Sequence, residues 1–125
     1  MDPVANMLIA IKNGYMAQRP KVQVPFSKFK MEIAKLLERE KVVGKVVKEE
    51  SKLSIELFYD KPRPKYLEIQ KISKLGLRVY TKGKNIKKVK GGKGIFIIST
   101  PKGVMTGDEA KNKKLGGEVI CRLWQ

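Results

Sequence analysis

Histidine is absent from this chain of 125 residues, cysteine and tryptophan occur once each, and acidic residues number only 12 against 28 lysines and arginines. Without imidazole the chain lacks the side chain that titrates near neutrality and the commonest nitrogen ligand for metals. A lone thiol, Cys121, excludes an intrachain disulfide. It sits in the strand-like run Val119-Ile120-Cys121-Arg122-Leu123 and reads as a small buried apolar residue rather than a nucleophile. Long hydrophobic runs are missing as well. No stretch approaches the ~18 apolar residues that cross a bilayer, and the opening Met1 to Lys12 is interrupted by Asp2, Asn6 and Lys12 with no basic leader. A cytosolic protein is expected, with no membrane partner, no metal and no cofactor.

What is present in excess is positive charge, +16 overall with an isoelectric point near 10.0. The excess is lopsided: residues 1 to 60 hold 11 basic and 8 acidic side chains, residues 61 to 125 hold 17 and 4. So small a body repels itself unless a polyanion neutralises it, and nucleic acid is the commonest such partner. The plain alternative is a lysine-rich surface kept for solubility, but such surfaces interleave both signs and the second half scarcely does. With 42% hydrophobic residues spread along its length, the chain can still bury a core.

The element pattern is α+β. Asp2 and Pro3 can start a helix in which Val4, Met7, Leu8 and Ile11 share a face, with Asn13-Gly14 as its stop. Val22 and Val24 alternate in a short strand ending at Pro25. Ser27 can cap a second helix with Phe29, Ile33, Leu36 and Leu37 as its apolar stripe, running to about Glu40. Strands are expected from Val42 to Val47 and from Leu53 to Tyr59, joined by a hairpin through Lys48 to Lys52. This N-terminal lobe, residues 1–60, is ordered α-β-α-β-β. Asp60-Lys61-Pro62-Arg63-Pro64-Lys65 then reads as a lobe boundary, or as a long hairpin turn inside one sheet. Residues 66–125 read as a mainly antiparallel β lobe, with strands from Tyr66 to Ile72, Leu77 to Lys82, Gly94 to Ser99 and Glu118 to Trp124. Short helices are expected near Asn85 to Val89 and, after a Thr106 cap, from Asp108 to Lys113.

Gly91-Gly92-Lys93-Gly94 is not a nucleotide-binding loop: Gly94 replaces the required serine or threonine, and Lys87 stands where the first glycine belongs. It is read as a flexible turn into the strand Ile95-Phe96-Ile97-Ile98. Ser99-Thr100-Pro101-Lys102-Gly103-Val104-Met105-Thr106 is the most informative stretch. Three hydroxyls, a cation and a Pro-Lys-Gly turn behind an apolar strand can meet the 2′-hydroxyls and base edges of an A-form minor groove. The residues fit equally an ordinary type I turn with Thr106 capping the next helix.

Four sequence blocks resolve this choice by resemblance: Leu75-Gly76-Leu77-Arg78-Val79-Tyr80, Gly92-Lys93-Gly94-Ile95, Ser99 to Asp108, and Leu115-Gly116-Gly117-Glu118-Val119-Ile120-Cys121. With Asp2 to Leu8 and Ile11-Lys12-Asn13-Gly14, they make the chain resemble, over essentially its whole length, the bacterial type of the small-subunit ribosomal protein eight family. The resemblance implies two tightly packed lobes, an α/β one followed by a mainly β one. It implies binding to a short irregular helix in the central domain of 16S ribosomal RNA early in assembly, beside neighbouring small-subunit proteins. Many members also repress translation from their own messenger. By position it implies a contact loop of Ser99, Thr100, Lys102, Gly103, Val104 and Thr106, neighbouring contacts at Tyr80, Gly117 and Glu118, and backbone contacts from Lys28 and Lys30. Pro101 stands where many members carry a second serine, and its ring removes a hydroxyl and an amide donor from that position.

Lys82, Lys84, Lys87, Lys88, Lys90 and Lys93 are expected to neutralise phosphates without selecting sequence. Ser99, Thr100 and Thr106 are expected to read RNA shape by hydrogen bonding, while Tyr80 either stacks on an exposed base or packs in the core. Trp124 reads as packing. Two other classes remain for comparison. A metal-dependent nuclease needs clustered carboxylates, and Glu68, Asp108, Glu109 and Glu118 are spaced without a ligand pattern. A non-specific nucleic-acid-compacting protein needs only the charge.

Overall fold

The computed structural model describes residues 2–58, 68–74, 76–83 and 94–124. The expected lobe boundary at Asp60 to Lys65, the short helix near Asn85 to Val89, and Lys84, Lys87, Lys88, Lys90 and Lys93 lie outside these residues. The chain divides into two compact units, Pro3–Leu67 and Met1–Asp2 with Glu68–Gln125.

In the N-terminal unit, helix α1 (Pro3–Met16) buries Val4, Met7, Leu8 and Ile11, the positions that the helical period selects. It runs on through Asn13-Gly14 instead of stopping there. Gly14 is needed for space: a Cβ on it would lie 2.7 Å from Val22 Cγ1 and 2.8 Å from Leu57 Cδ1. The next residue, Tyr15, anchors the end of the helix, its hydroxyl donating to the Val42 carbonyl at 2.5 Å and accepting from the Phe58 amide at 2.9 Å. The chain leaves the helix only at Gln18, whose φ is 55°.

Strand β1 (Lys21–Pro25) leads to helix α2 (Lys28–Arg39), capped by Ser27, whose side chain accepts from the Lys30 amide at 3.1 Å. Ile33, Leu36 and Leu37 of the expected α2 stripe are buried, and its first position differs. Phe29 is exposed, while Lys30 is buried with Ile33, Ala34 and Leu37, which follow it at three, four and seven residues. Strands β2 (Val46–Glu49) and β3 (Lys52–Glu56) form the expected hairpin, Glu49 opposite Lys52, and β3 is the centre of an antiparallel sheet ordered β1-β3-β2. Strand β2 begins four residues later than its valines suggest. Val42 and Val43 are buried outside any strand, in the turn that follows α2, where the Val42 amide bonds the Leu37 carbonyl at 2.9 Å.

The C-terminal unit contains β4 (Glu68–Lys71), β5 (Tyr80–Thr81), β6 (Ile95–Thr100), β7 (Gly103–Thr106), helix α3 (Gly107–Asn112) and β8 (Gly117–Trp124). Its sheet is antiparallel, ordered β4-β8-β6-β7, with β5 also paired to β8. Two strands differ from expectation. The strand from Leu77 shrinks to Tyr80–Thr81, because Lys74 and Leu77 first pair with each other around Gly76, whose φ of 82° closes a tight turn. The stretch expected as a loop after Ser99 is a hairpin: Val104, Met105 and Thr106 form a strand that pairs back onto β6. A register shift between Ile97 and Ile98 leaves Ile120 as the extra residue of β8, so Val119, Ile120 and Cys121 are all buried in succession.

Candidate nucleic-acid interface

Strand β8 organises the site because its first residues are paired on both edges. Glu118 stands opposite Tyr80 of β5 and opposite Ser99 of β6, and Ser99 stands opposite Val104 of β7. Opposed residues of an antiparallel ladder project to the same face. Tyr80, Glu118, Ser99 and Val104, four residues scattered over 39 positions of sequence, therefore form one transverse row. Tyr80 is 69% exposed, which excludes the core-packing alternative for its ring, and the other three are half-buried. The adjacent row, Val119, Ile98 and Met105, faces the other way and is buried in a cluster with Ala110 of α3.

The turn beside this row is held by its own side chains. Thr100 Oγ1 donates to the Gly103 carbonyl at 2.8 Å and accepts from the Lys102 amide at 3.1 Å, leaving Pro101 and Lys102 exposed at the tip. Gly103 has φ 116°, a conformation that strains any residue with a Cβ. Thr106 caps α3: its hydroxyl accepts from the Glu109 amide at 3.2 Å, and Glu109 returns a carboxylate oxygen to the Thr106 amide, also at 3.2 Å. Two of the three hydroxyls expected to face a ligand are thus turned inward, Thr100 and Thr106 being 8% and 5% exposed. Ser99 alone stays on the open row.

Gly117 also has a structural job. A Cβ there would collide with the Ser99 carbonyl oxygen, and one on Gly116 would lie 2.5 Å from the Thr81 carbonyl oxygen. The glycine pair lets β8 enter between β5 and β6. Among the cations, Lys28, Lys82 and Lys102 are exposed. Lys30, expected as a backbone contact, is 5% exposed and lies on the buried face of α2.

Arg78 was not singled out from the sequence. Its Nη1 lies 3.1 Å from Glu118 Oε2, tying the loop before β5 to the middle of the row. The signal was present in Leu77-Arg78-Val79-Tyr80, where strand period puts Arg78 on the same side as Tyr80.

Chemistry elsewhere is quiet. Cys121 is fully buried and desolvation pushes its thiol up from 9.0 to about 12, with Lys71 opposing weakly, so it stays protonated and unreactive. Arg122 stacks its guanidinium 4.8 Å from the ring centre of half-buried Trp124. Among the described residues no group of three potential ligands could hold a metal, and no helix is long and apolar enough to cross a membrane.

Comparison with known proteins decides the family. The sequence profile described as Ribosomal protein S8 matches residues 2–124. The chain belongs to the ribosomal protein S8 family. Similar proteins named small ribosomal subunit protein uS8 include one from Nitratidesulfovibrio vulgaris (strain Miyazaki F), 42% identical over 98% of both chains. Another, from Roseiflexus castenholzii, is 43% identical over 98% of this chain and 97% of its own, as is one from Pseudomonas syringae pv. syringae. The family is one of ribosomal proteins, and the relatives carry the name of a small ribosomal subunit protein.

Proposed function

We propose that the C-terminal unit binds folded small-subunit ribosomal RNA, at a helix of the 16S central domain, through the row Tyr80, Glu118, Ser99 and Val104 and the neighbouring turn at Pro101 and Lys102. The observation that carries the proposal is that open row. It places an aromatic face, a carboxylate acceptor, a hydroxyl and an apolar contact side by side, in a half of the chain where basic residues outnumber acidic ones 17 to 4. Tyr80 stacks on a base or sugar, Ser99 bonds a base edge or 2′-hydroxyl, and Val104 packs against sugar. Lys82 and Lys102, with Lys84, Lys87 and Lys88, neutralise phosphates and set the salt dependence, and Lys28 does the same from the N-terminal unit. Thr100, Thr106, Gly103 and Gly117 build the surface without their side chains touching RNA. A similarly folded helix in the protein's own messenger would meet the same row, which gives repression a physical route. Other small-subunit proteins are the expected neighbours.

The test is a titration of the full chain with a central-domain RNA fragment and with duplex DNA of equal length, over a range of salt. Tight, salt-sensitive binding to the RNA that the DNA does not match is the expected result. Equal affinity for both would replace this proposal with non-specific compaction.

A further inference from the structure

A carboxylate in the middle of a surface that attracts phosphate needs a reason. Glu118 repels the RNA backbone, and as an acceptor-only group it can bond nothing in RNA except N–H and O–H donors. Its Oε2 is taken by Arg78 Nη1 at 3.1 Å, while Oε1 has no hydrogen-bond partner among the described residues. Arg78 is well placed to hold it still. The following residue, Val79, is pinned on both backbone groups: its amide donates to Ser73 Oγ at 2.9 Å and its carbonyl accepts from Ser73 Oγ at 3.2 Å and from the Val119 amide at 2.8 Å. The preceding residue, Leu77, exchanges two backbone bonds of 2.9 Å with Lys74. Ser73 itself is fully buried. The arginine therefore extends from a fixed backbone, and its Nη1 tethers one of the two carboxylate oxygens. An ion pair this exposed, with side chains 46% and 20% accessible, stabilises the fold little, so its effect is on orientation.

We infer that Arg78 is a positioning residue that aims Glu118 Oε1 along the open row, making the carboxylate a reader of one base amino group rather than a passive negative charge. Resting on the RNA-binding reading above, this names the group recognised: an exocyclic amine on a base edge left accessible in the folded RNA. Discrimination arises in both directions, because a carbonyl or phosphate oxygen at that point meets an acceptor and a repelling charge.

The experiment measures binding of wild type, R78A, R78K, E118Q and the double variant R78A/E118Q to the central-domain RNA. It repeats each titration with RNAs in which single guanosines, adenosines or cytidines are replaced by analogues lacking the exocyclic amine. Wild type should lose about tenfold in affinity at one position, and E118Q, whose amide keeps one neutral acceptor oxygen but can turn its NH2 towards the base, should lose markedly less there. R78A should cut the discrimination to a few-fold with an unchanged melting temperature, R78K should restore part of it, and the double variant should behave as E118Q alone. If R78A keeps the full discrimination, or instead weakens all RNAs alike while lowering the salt slope by about one unit, Arg78 is a phosphate contact and the inference is overturned. If no analogue separates wild type from E118Q, the amine assignment falls while RNA binding stands. If wild type itself does not prefer this RNA over DNA, the underlying proposal fails and takes this one with it.

Discussion

The two faces of the C-terminal sheet are made from alternate residues of the same strands, yet they obey different rules. On one face Val119, Ile98 and Met105 close over Ala110, and their identity is set by volume and apolarity. On the other, Tyr80, Glu118, Ser99 and Val104 keep partial or full exposure and differ in chemistry from one position to the next. The first face makes the strands stay where they are; the second uses that rigidity to present unlike groups at fixed spacing. Substitutions should therefore separate, with stability following one face and RNA affinity the other.

Four measurements can break that separation and a fifth bears on its rim. Ile98→Ala should cost about 2–5 kcal/mol in denaturant unfolding, and a cost below about 1 kcal/mol would mean that the buried row does not hold the sheet. Tyr80→Ala should leave unfolding within ~0.5 kcal/mol yet weaken RNA binding by about 1–3 kcal/mol if the ring stacks; an equal loss of stability would return Tyr80 to the core. Cys121 marks where the open face runs into the interior. Because burial raises its folded value from 9.0 to about 12, the unfolded chain releases this proton first, and stability is full below about pH 9 and falls as pH rises towards 12. Cys121→Ala should flatten that alkaline loss, roughly 2 kcal/mol midway through the window, when both proteins are melted at a series of pH values. Thr106→Ala should remove about 1 kcal/mol of stability through the lost cap while RNA affinity per folded molecule stays the same, which distinguishes a capping threonine from a contacting one. Smallest is Lys82→Ala, expected to reduce the salt slope of RNA binding by about one unit and to weaken every polyanion to the same extent.

Much of the buried face was legible in sequence because burial leaves periodic traces. Leu53, Ile55 and Leu57 alternate and are buried, and Val4, Met7, Leu8 and Ile11 follow the helical repeat. Ser27 and Thr106 announced the helices that they cap. What escaped were features decided by partners distant in the chain. Gly14 looked like a stop until Val22 and Leu57 were found against it. Lys30 looked like a surface cation because its charge, not its place on the buried face of α2, is what the sequence displays. The stretch from Ser99 to Thr106 contains enough hydroxyls to read as a loop, and only pairing with β6 shows that it is a hairpin turning two of them inward. The resemblance names candidate contact positions, but their division into groups that face outward and groups that turn inward required the sheet register. Arg78 was passed over because its significance lies in a carboxylate 40 residues away.

The close approach at Gly117 has one more consequence. With no room for a side chain between β5 and β6, the strands cannot be levered apart, and the row keeps the pitch of the hydrogen-bonded ladder. At ~4.8 Å per step, three steps from Tyr80 to Val104 span about 14 Å. On the proposed RNA-binding reading, such a row would work as a gauge: a helix whose contact groups are pitched differently would fail to engage all four teeth at once.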